Sequence, residues 1–85
     1  MRTRVALMAI IVENIDGAEK LNSILHDYGD CILGRMGLPY RKRGINIISI
    51  AIDAPEDIIN TLAGKIGRIE GVTVKTAYSN KEYND

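Results

Sequence analysis

Eighty-five residues carry eleven Lys and Arg against eleven Asp and Glu, one His, one Cys, four Tyr and neither Phe nor Trp. With 46% apolar and 26% charged residues the chain is one small folded domain, too hydrophobic for disorder, and its zero net charge gives no general pull toward nucleic acid or an anionic membrane. Cys31 has no internal disulfide partner, and the apolar run within MRTRVALMAIIV is too short to span a bilayer and has no small-residue cleavage site, so a reduced, cytoplasmic protein is expected.

Residues 4–12 are almost wholly apolar and stop abruptly at Glu13, Asn14, Asp16 and Gly17, which predicts a strand (β1) buried on both faces. Over 18–28 the apolar residues Ala18, Leu21, Leu25 and Tyr28 form one helical stripe with Ile24 beside it, predicting α1. Asp16 is the expected N-cap, Glu19 the closing member of a capping box, and Gly29 a left-handed C-terminal cap. Residues 31–40 alternate as β2, with Ile32, Gly34, Met36, Leu38 and Tyr40 on one side and Cys31, Leu33, Arg35, Gly37 and Pro39 on the other; Pro39 assigns this strand to an edge or to its own end. Arg41, Lys42, Arg43 and Gly44 read as a hairpin loop into the β-branched strand β3 over 45–53. Pro55 suits the first turn of α2 and Glu56 and Asp57 its positive end, with Ile58, Leu62 and Ile66 as the stripe, Ile59 and Ala63 alongside, and Gly67 as its end. Residues 72–78 alternate as β4, so that a single domain over 1–79 is followed by a polar tail over 80–85.

The order βαββαβ closes most simply as an α+β, ferredoxin-like fold, a four-stranded antiparallel sheet with both helices on one face. In water the other face should be polar, yet β1 is apolar on both sides and β3 offers Ile45, Ile47, Ser49 and Ala51 opposite Ile48, Ile50 and Ile52. An open apolar face of that size predicts a homo-oligomer, a dimer or tetramer.

Known chemistries on this fold set demands the chain does not meet. A carrier of monovalent copper needs paired cysteines, and a base-stacking RNA module needs aromatic residues in mid-strand, whereas Tyr28, Tyr40, Tyr78 and Tyr83 fall at predicted element ends or beyond them. An acylphosphatase-like hydrolase needs an arginine-bearing anion cradle after its first strand, where this chain has Glu13, Asn14, Ile15, Asp16 and Gly17. No nucleophile and base stand at a workable spacing, so neither catalysis nor a cofactor is expected. His26 reads as a helix-surface residue and Cys31 as a small buried hydrophobe; as metal ligands, two are too few for a closed site unless several subunits contribute. Arg35, Arg41, Lys42 and Arg43 are the one basic cluster, serving either solubility and edge protection or capture of an anion or of an acidic patch on a partner protein. Gly34 and Gly37 mark either a register-setting bulge or the close approach of a ligand or another backbone.

Asn14, Ile15, Asp16 and Gly17, followed by Leu21 and Leu25 and by Gly29, Asp30, Cys31 and Ile32, resemble the ACT family of small-molecule-sensing domains, with Asn14 and Asp16 where the family's turn has aspartate and proline. The stretches YGDCILGRMGLPYRKRGINIISIAIDAP and GKIGRIEGVTVKTAYS resemble, more closely, the small proteins described as regulators of the iron-only hydrogenase system, over residues 4–79. That resemblance implies an ACT-like domain, distantly similar to the C-terminal domain of nickel-responsive repressors, and a regulatory role. Those repressor domains hold metal through several histidines and a cysteine across subunits; here only His26 and Cys31 are present. The expected function is therefore non-enzymatic regulation by a small molecule, an amino acid among the candidates, bound at a subunit interface. Asn14, Asp16 and Gly17 would line that site at the positive end of α1, Arg35 would supply charge, and Asp16 would take a ligand's ammonium group. The alternative is an oligomeric interaction module that docks a partner through Arg41, Lys42 and Arg43.

Overall fold

Alternation along β1 (Arg2–Val12) divides the molecule, because Ala6, Met8, Ile10 and Val12 are buried while Leu7, Ala9 and Ile11 are exposed. The computed structural model describes residues 1–84. β1 pairs antiparallel with β3 (Ile45–Ala54) on one side and β4 (Val72–Asn84) on the other, and β2 (Ile32–Tyr40) pairs with β3, giving the sheet order β2-β3-β1-β4. Residues directly opposite in an antiparallel pair share a face. Ile10 opposite Ile48, Met8 opposite Ile50 and Ala6 opposite Ile52 therefore form one apolar floor. Leu21 and Leu25 of α1 (Ile15–Asp27) and Ile59, Leu62 and Ile66 of α2 (Glu56–Gly67) close over that floor in a single core. The α+β, βαββαβ arrangement with a four-stranded antiparallel sheet and two helices is as expected.

Local signals are placed differently from their predicted positions at several points. Asn14, not Asp16, caps α1: it is extended (φ −130°, ψ 124°), and its Oδ1 accepts the Asp16 N–H at 3.0 Å. With the cap two residues earlier, the third helical residue is Gly17, so Glu19 closes no capping box. Gly29 is not left-handed; α1 unwinds through successive three-residue turns, Tyr28 N–H to Leu25 O at 3.1 Å, Gly29 N–H to His26 O at 3.2 Å and Cys31 N–H to Tyr28 O at 3.0 Å. Gly67 remains within α2, and Pro55 is its N-cap rather than its first residue. Among the described residues the positive-φ positions are Gly44 (67°) and Gly71 (78°), and at Gly71 a Cβ would lie 2.7 Å from the Asn14 Cβ.

β2 contains a bulge between Ile32 and Gly34, so Ile32 shares the helix-side face with Arg35, Gly37 and Pro39, and Leu33, two-thirds exposed, is the extra residue. The expected strict alternation, with Ile32 beside Gly34, thus fails at its first step. The expected edge position holds. Residues 80–84, expected as a tail, continue β4 as an edge strand pairing Arg2, Thr3 and Arg4 with Asn84, Tyr83 and Glu82; Asp85 lies outside the described residues. Arg4 secures the register shift there. Its guanidinium donates to Glu56 Oε1 at 3.0 Å and to the Ser79 carbonyl at 2.6 Å, and it covers the Tyr78 ring at 4.5 Å. This extension puts Tyr78 in mid-strand, contrary to expectation, but half-buried on the helix side under Arg4, with its hydroxyl donating to Asn60 Oδ1. Burial and the Glu56 charge raise its pKa above 10.0, with Arg4 pulling the other way. Arg4 occupies one face of the ring, and the side chain packs against the core.

Candidate functional site

The helix layer does not cover β2. No residue of that strand is fully buried, and its helix-side face presents Arg35, Gly37 and Pro39 where an apolar floor would normally run. A groove of about 270 Å³ results between α1 and β2, walled by Ala18 and Asn22 on one side and Gly37 and Pro39 on the other, with Ile48 and Asn46 at its base. Arg35 stands at its end and donates from Nη2 to Asn22 Oδ1 at 2.9 Å. A guanidinium has five N–H donors, and this bond uses one. A Cβ at Gly37 would meet no atom within 4 Å, so the glycine leaves open space rather than relieving a clash.

The four residues expected to form one ligand site are not brought together. Asn14 and Asp16 lie at the start of α1, while Arg35 bonds Asn22, about two turns further along the helix. The first-turn donors expected to face a ligand are engaged: Asp16 N–H bonds Asn14 Oδ1 and Gly17 N–H bonds the Asn14 carbonyl at 2.9 Å. Gly17 is buried, with Val72 and Ile69 side-chain carbons 3.2 and 3.3 Å from where its Cβ would be. It serves close packing of α1 on the α2–β4 turn. The sequence drew attention to Arg35 but gave no sign of Asn22 or Asn46. Their place in a groove follows from the β2 bulge, which decides which β2 residues face α1.

His26 and Cys31 also part company within the chain. His26 is exposed beside Gly29, Ile32 and Arg35, whereas Cys31, half-buried, lies with Tyr28, Ile58 and Thr61. Among the described residues no group of three or more His, Cys, Asp and Glu side chains could hold a metal ion. Arg41, Lys42 and Arg43 form a 3-10 turn ended by left-handed Gly44, all exposed and without an ion-pair partner among the described residues. No helix among the described residues is long and apolar enough to cross a membrane.

The sheet face away from the helices is open and apolar. Leu7, Ile11, Met36, Leu38, Tyr40 and Ile47 lie on it with 38% to 69% of their surface exposed. At roughly 200 Å² per fully exposed side chain this is an apolar patch on the order of 600 Å², the upper end of what monomers show.

The family model described as "Iron-only hydrogenase system regulator, putative" (TM1266-like) matches residues 4–76. The structure of uncharacterized protein TM1266 from Thermotoga maritima is 34% identical, with a TM-score of 0.86 over 89% of this chain and 96% of that one. The ACT domain of GTP pyrophosphokinase from Chlorobium tepidum is 20% identical, with a TM-score of 0.75 over 88% and 99%. The C-terminal domain of the MgtC protein from Mycobacterium tuberculosis, 8% identical, has a TM-score of 0.72 over 89% and 87%. No curated protein sequence matches the chain. The last two likenesses show the fold, which is ACT-like, and the first two findings show the lineage: the chain belongs to the TM1266-like family of iron-only hydrogenase system regulators.

Proposed function

We propose that the protein is a non-enzymatic, cytoplasmic regulator that assembles with copies of itself through the open sheet face and binds a small molecule, an amino acid or related carboxylate, at the resulting subunit interface. The observation that carries this reading is the apolar face of Leu7, Ile11, Met36, Leu38, Tyr40 and Ile47. Two such faces back to back would bury on the order of 1,200 Å², the lower bound for a specific interface. Left in water, the same surface favours indiscriminate association. The family description supports regulation as the role. Light scattering for solution mass, followed by native mass spectrometry of the same sample, tests the proposal. A dimer or tetramer retaining a small molecule is expected, and a monomer overturns the assembly on which the reading rests.

The second reading, an interaction module without a small ligand, is favoured by one feature: three exposed cations held at fixed spacing on the Arg41–Arg43 turn. Reversing all three charges to Glu separates the readings. Under the first, the solution mass and the retained molecule are unchanged; under the second, binding to an acidic partner protein of the hydrogenase system is lost.

A further inference from the structure

We infer that the groove between α1 and β2 is a binding site for small carboxylates that have an apolar body and lack an α-ammonium group. This rests on the small-ligand reading above in that a small molecule is bound, but it places that molecule on the helix side of β2 instead of at the interface formed by the open sheet face, and excludes free amino acids.

Polarity in the groove is confined to a few groups, all able to donate. Arg35 has one hydrogen bond and no carboxylate partner among the described residues, which leaves donors in a fork that matches a carboxylate's two oxygens. The Asn22 amide accepts from Arg35 through Oδ1, so its N–H donors are unspent. Asn46, half-buried at the base, uses its side chain in no hydrogen bond among the described residues. The other walls are Ala18, Pro39 and Ile48, apolar surface for a hydrocarbon chain. Few convergent polar groups against apolar walls is the ordinary composition of a small-molecule site.

No acidic residue lines the groove. Asp16, the expected partner for an ammonium group, is at the start of α1 and does not border it. A free amino acid would bring its ammonium group beside Arg35 with no anion to meet it, and like charge at close range disfavours binding. The carboxylate without that group meets no such opposition.

Gly37 gives the inference its test. It faces the groove, its backbone is not left-handed, and a side chain there meets nothing within 4 Å, so Gly37→Leu fills the space without straining the fold. The probes are 4-methylpentanoate and leucine, which differ only by the α-ammonium group, titrated into the whole assembled protein with amide resonances recorded by NMR. Saturable shifts of the Asn22 and Asn46 side-chain amides and of the Gly37 N–H by 4-methylpentanoate are expected, with leucine weaker by about tenfold or more. Gly37→Leu should abolish binding and Arg35→Gln weaken it by about tenfold, each with undisturbed resonances on β4 and an unchanged solution mass. Equal binding of leucine, shifts confined to Asn14 and Asp16, full binding by Gly37→Leu, or no saturable shift overturns the site. A monomeric mass defeats the assembly reading instead, so the two failures are told apart.

Discussion

The contact between Gly71 and Asn14 allows a mutational test in which strain and clash separate. Gly44 and Gly71 both have positive φ, 67° and 78°, but a Cβ at Gly44 meets nothing within 4 Å whereas at Gly71 it lies 2.7 Å from the Asn14 Cβ. Left-handed backbone costs a non-glycine residue about 1–2 kcal/mol, offset by about 0.4–1 kcal/mol from the lost freedom of the unfolded chain, so Gly44→Ala should destabilise by about 1 kcal/mol. At Gly71 the same strain is joined by a displacement, and what must move is Asn14, anchored by its cap bond to Asp16 N–H and by its neighbour Glu13, whose N–H donates to the Gly71 carbonyl at 2.7 Å. Losing the cap or that bond costs about 1 kcal/mol each, which brings Gly71→Ala to about 2–3 kcal/mol. Urea unfolding at one fixed protomer concentration reads the difference, and thermal midpoints should fall by about 4–8 °C for Gly44→Ala and roughly twice that or more for Gly71→Ala. Asn14→Gly removes the obstructing Cβ while costing the cap only a few tenths of a kcal/mol, so in that background Gly71→Ala should cost no more than Gly44→Ala does. If Gly71→Ala is no worse than Gly44→Ala, or if Asn14→Gly leaves its extra cost intact, the contact does not hold the start of α1.

Leu7→Lys places a charge at the centre of the open face without touching the helix-side core; about half of Leu7 is exposed in one chain, so burying the remainder is worth about 2.5 kcal/mol per copy and the oligomer should dissociate to a folded monomer, read by light scattering with far-UV circular dichroism as the control. An unchanged mass would exclude this face as the interface. Tyr78 supplies a pH test with a definite sign. Its raised folded-state pKa makes a contribution to stability that is whole below 10.0 and is lost as pH climbs through the raised value, because above 10.0 the unfolded chain releases a proton that the folded one retains. Tyr78→Phe should lower stability near neutrality by about 1 kcal/mol through the lost Asn60 bond, and the gap between wild type and variant should narrow above pH 10; parallel pH profiles would refute it.

Element order and core were legible because periodicity carried them. Ile48, Ile50 and Ile52 alternate along β3 and Leu21 and Leu25 share one stripe of α1, and the structure buries all five in one core. The open face was legible for the same reason, as apolar residues on the wrong side of that alternation. Illegible were features set by a partner distant in sequence. The last residues of β4 have no apolar pattern; they pair as a strand with Arg2 to Arg4, next to the bond the Arg4 guanidinium donates to the Ser79 carbonyl. Gly17 and Gly29 looked like turn glycines, but one is a packing glycine against Val72 and the other sits in ordinary right-handed turns. The groove was hidden by a single bulge, since one extra residue at Leu33 moves every later β2 residue relative to Ile32 and so decides that Arg35 and Gly37 face α1.

That bulge also makes β2 the element on which assembly and ligand meet. Arg35, Gly37 and Pro39 face the groove while Met36, Leu38 and Tyr40, the residues between and after them, face the open sheet surface. An edge strand with no buried residue is held mainly by its ladder to β3, so it is the part of the sheet that shifts at least cost. A molecule bound against Arg35 and a second copy bound against Met36 would each press on the same backbone from opposite sides, one strand's thickness apart, and no longer pathway is needed for them to sense each other. Linkage then fixes the relation quantitatively: whatever factor assembly adds to the affinity for the carboxylate, the carboxylate adds to assembly. Measuring the dissociation constant of the oligomer with and without 4-methylpentanoate therefore has two informative results, a matched change in both constants if β2 is the shared element, and independence of the two if groove and face are energetically separate.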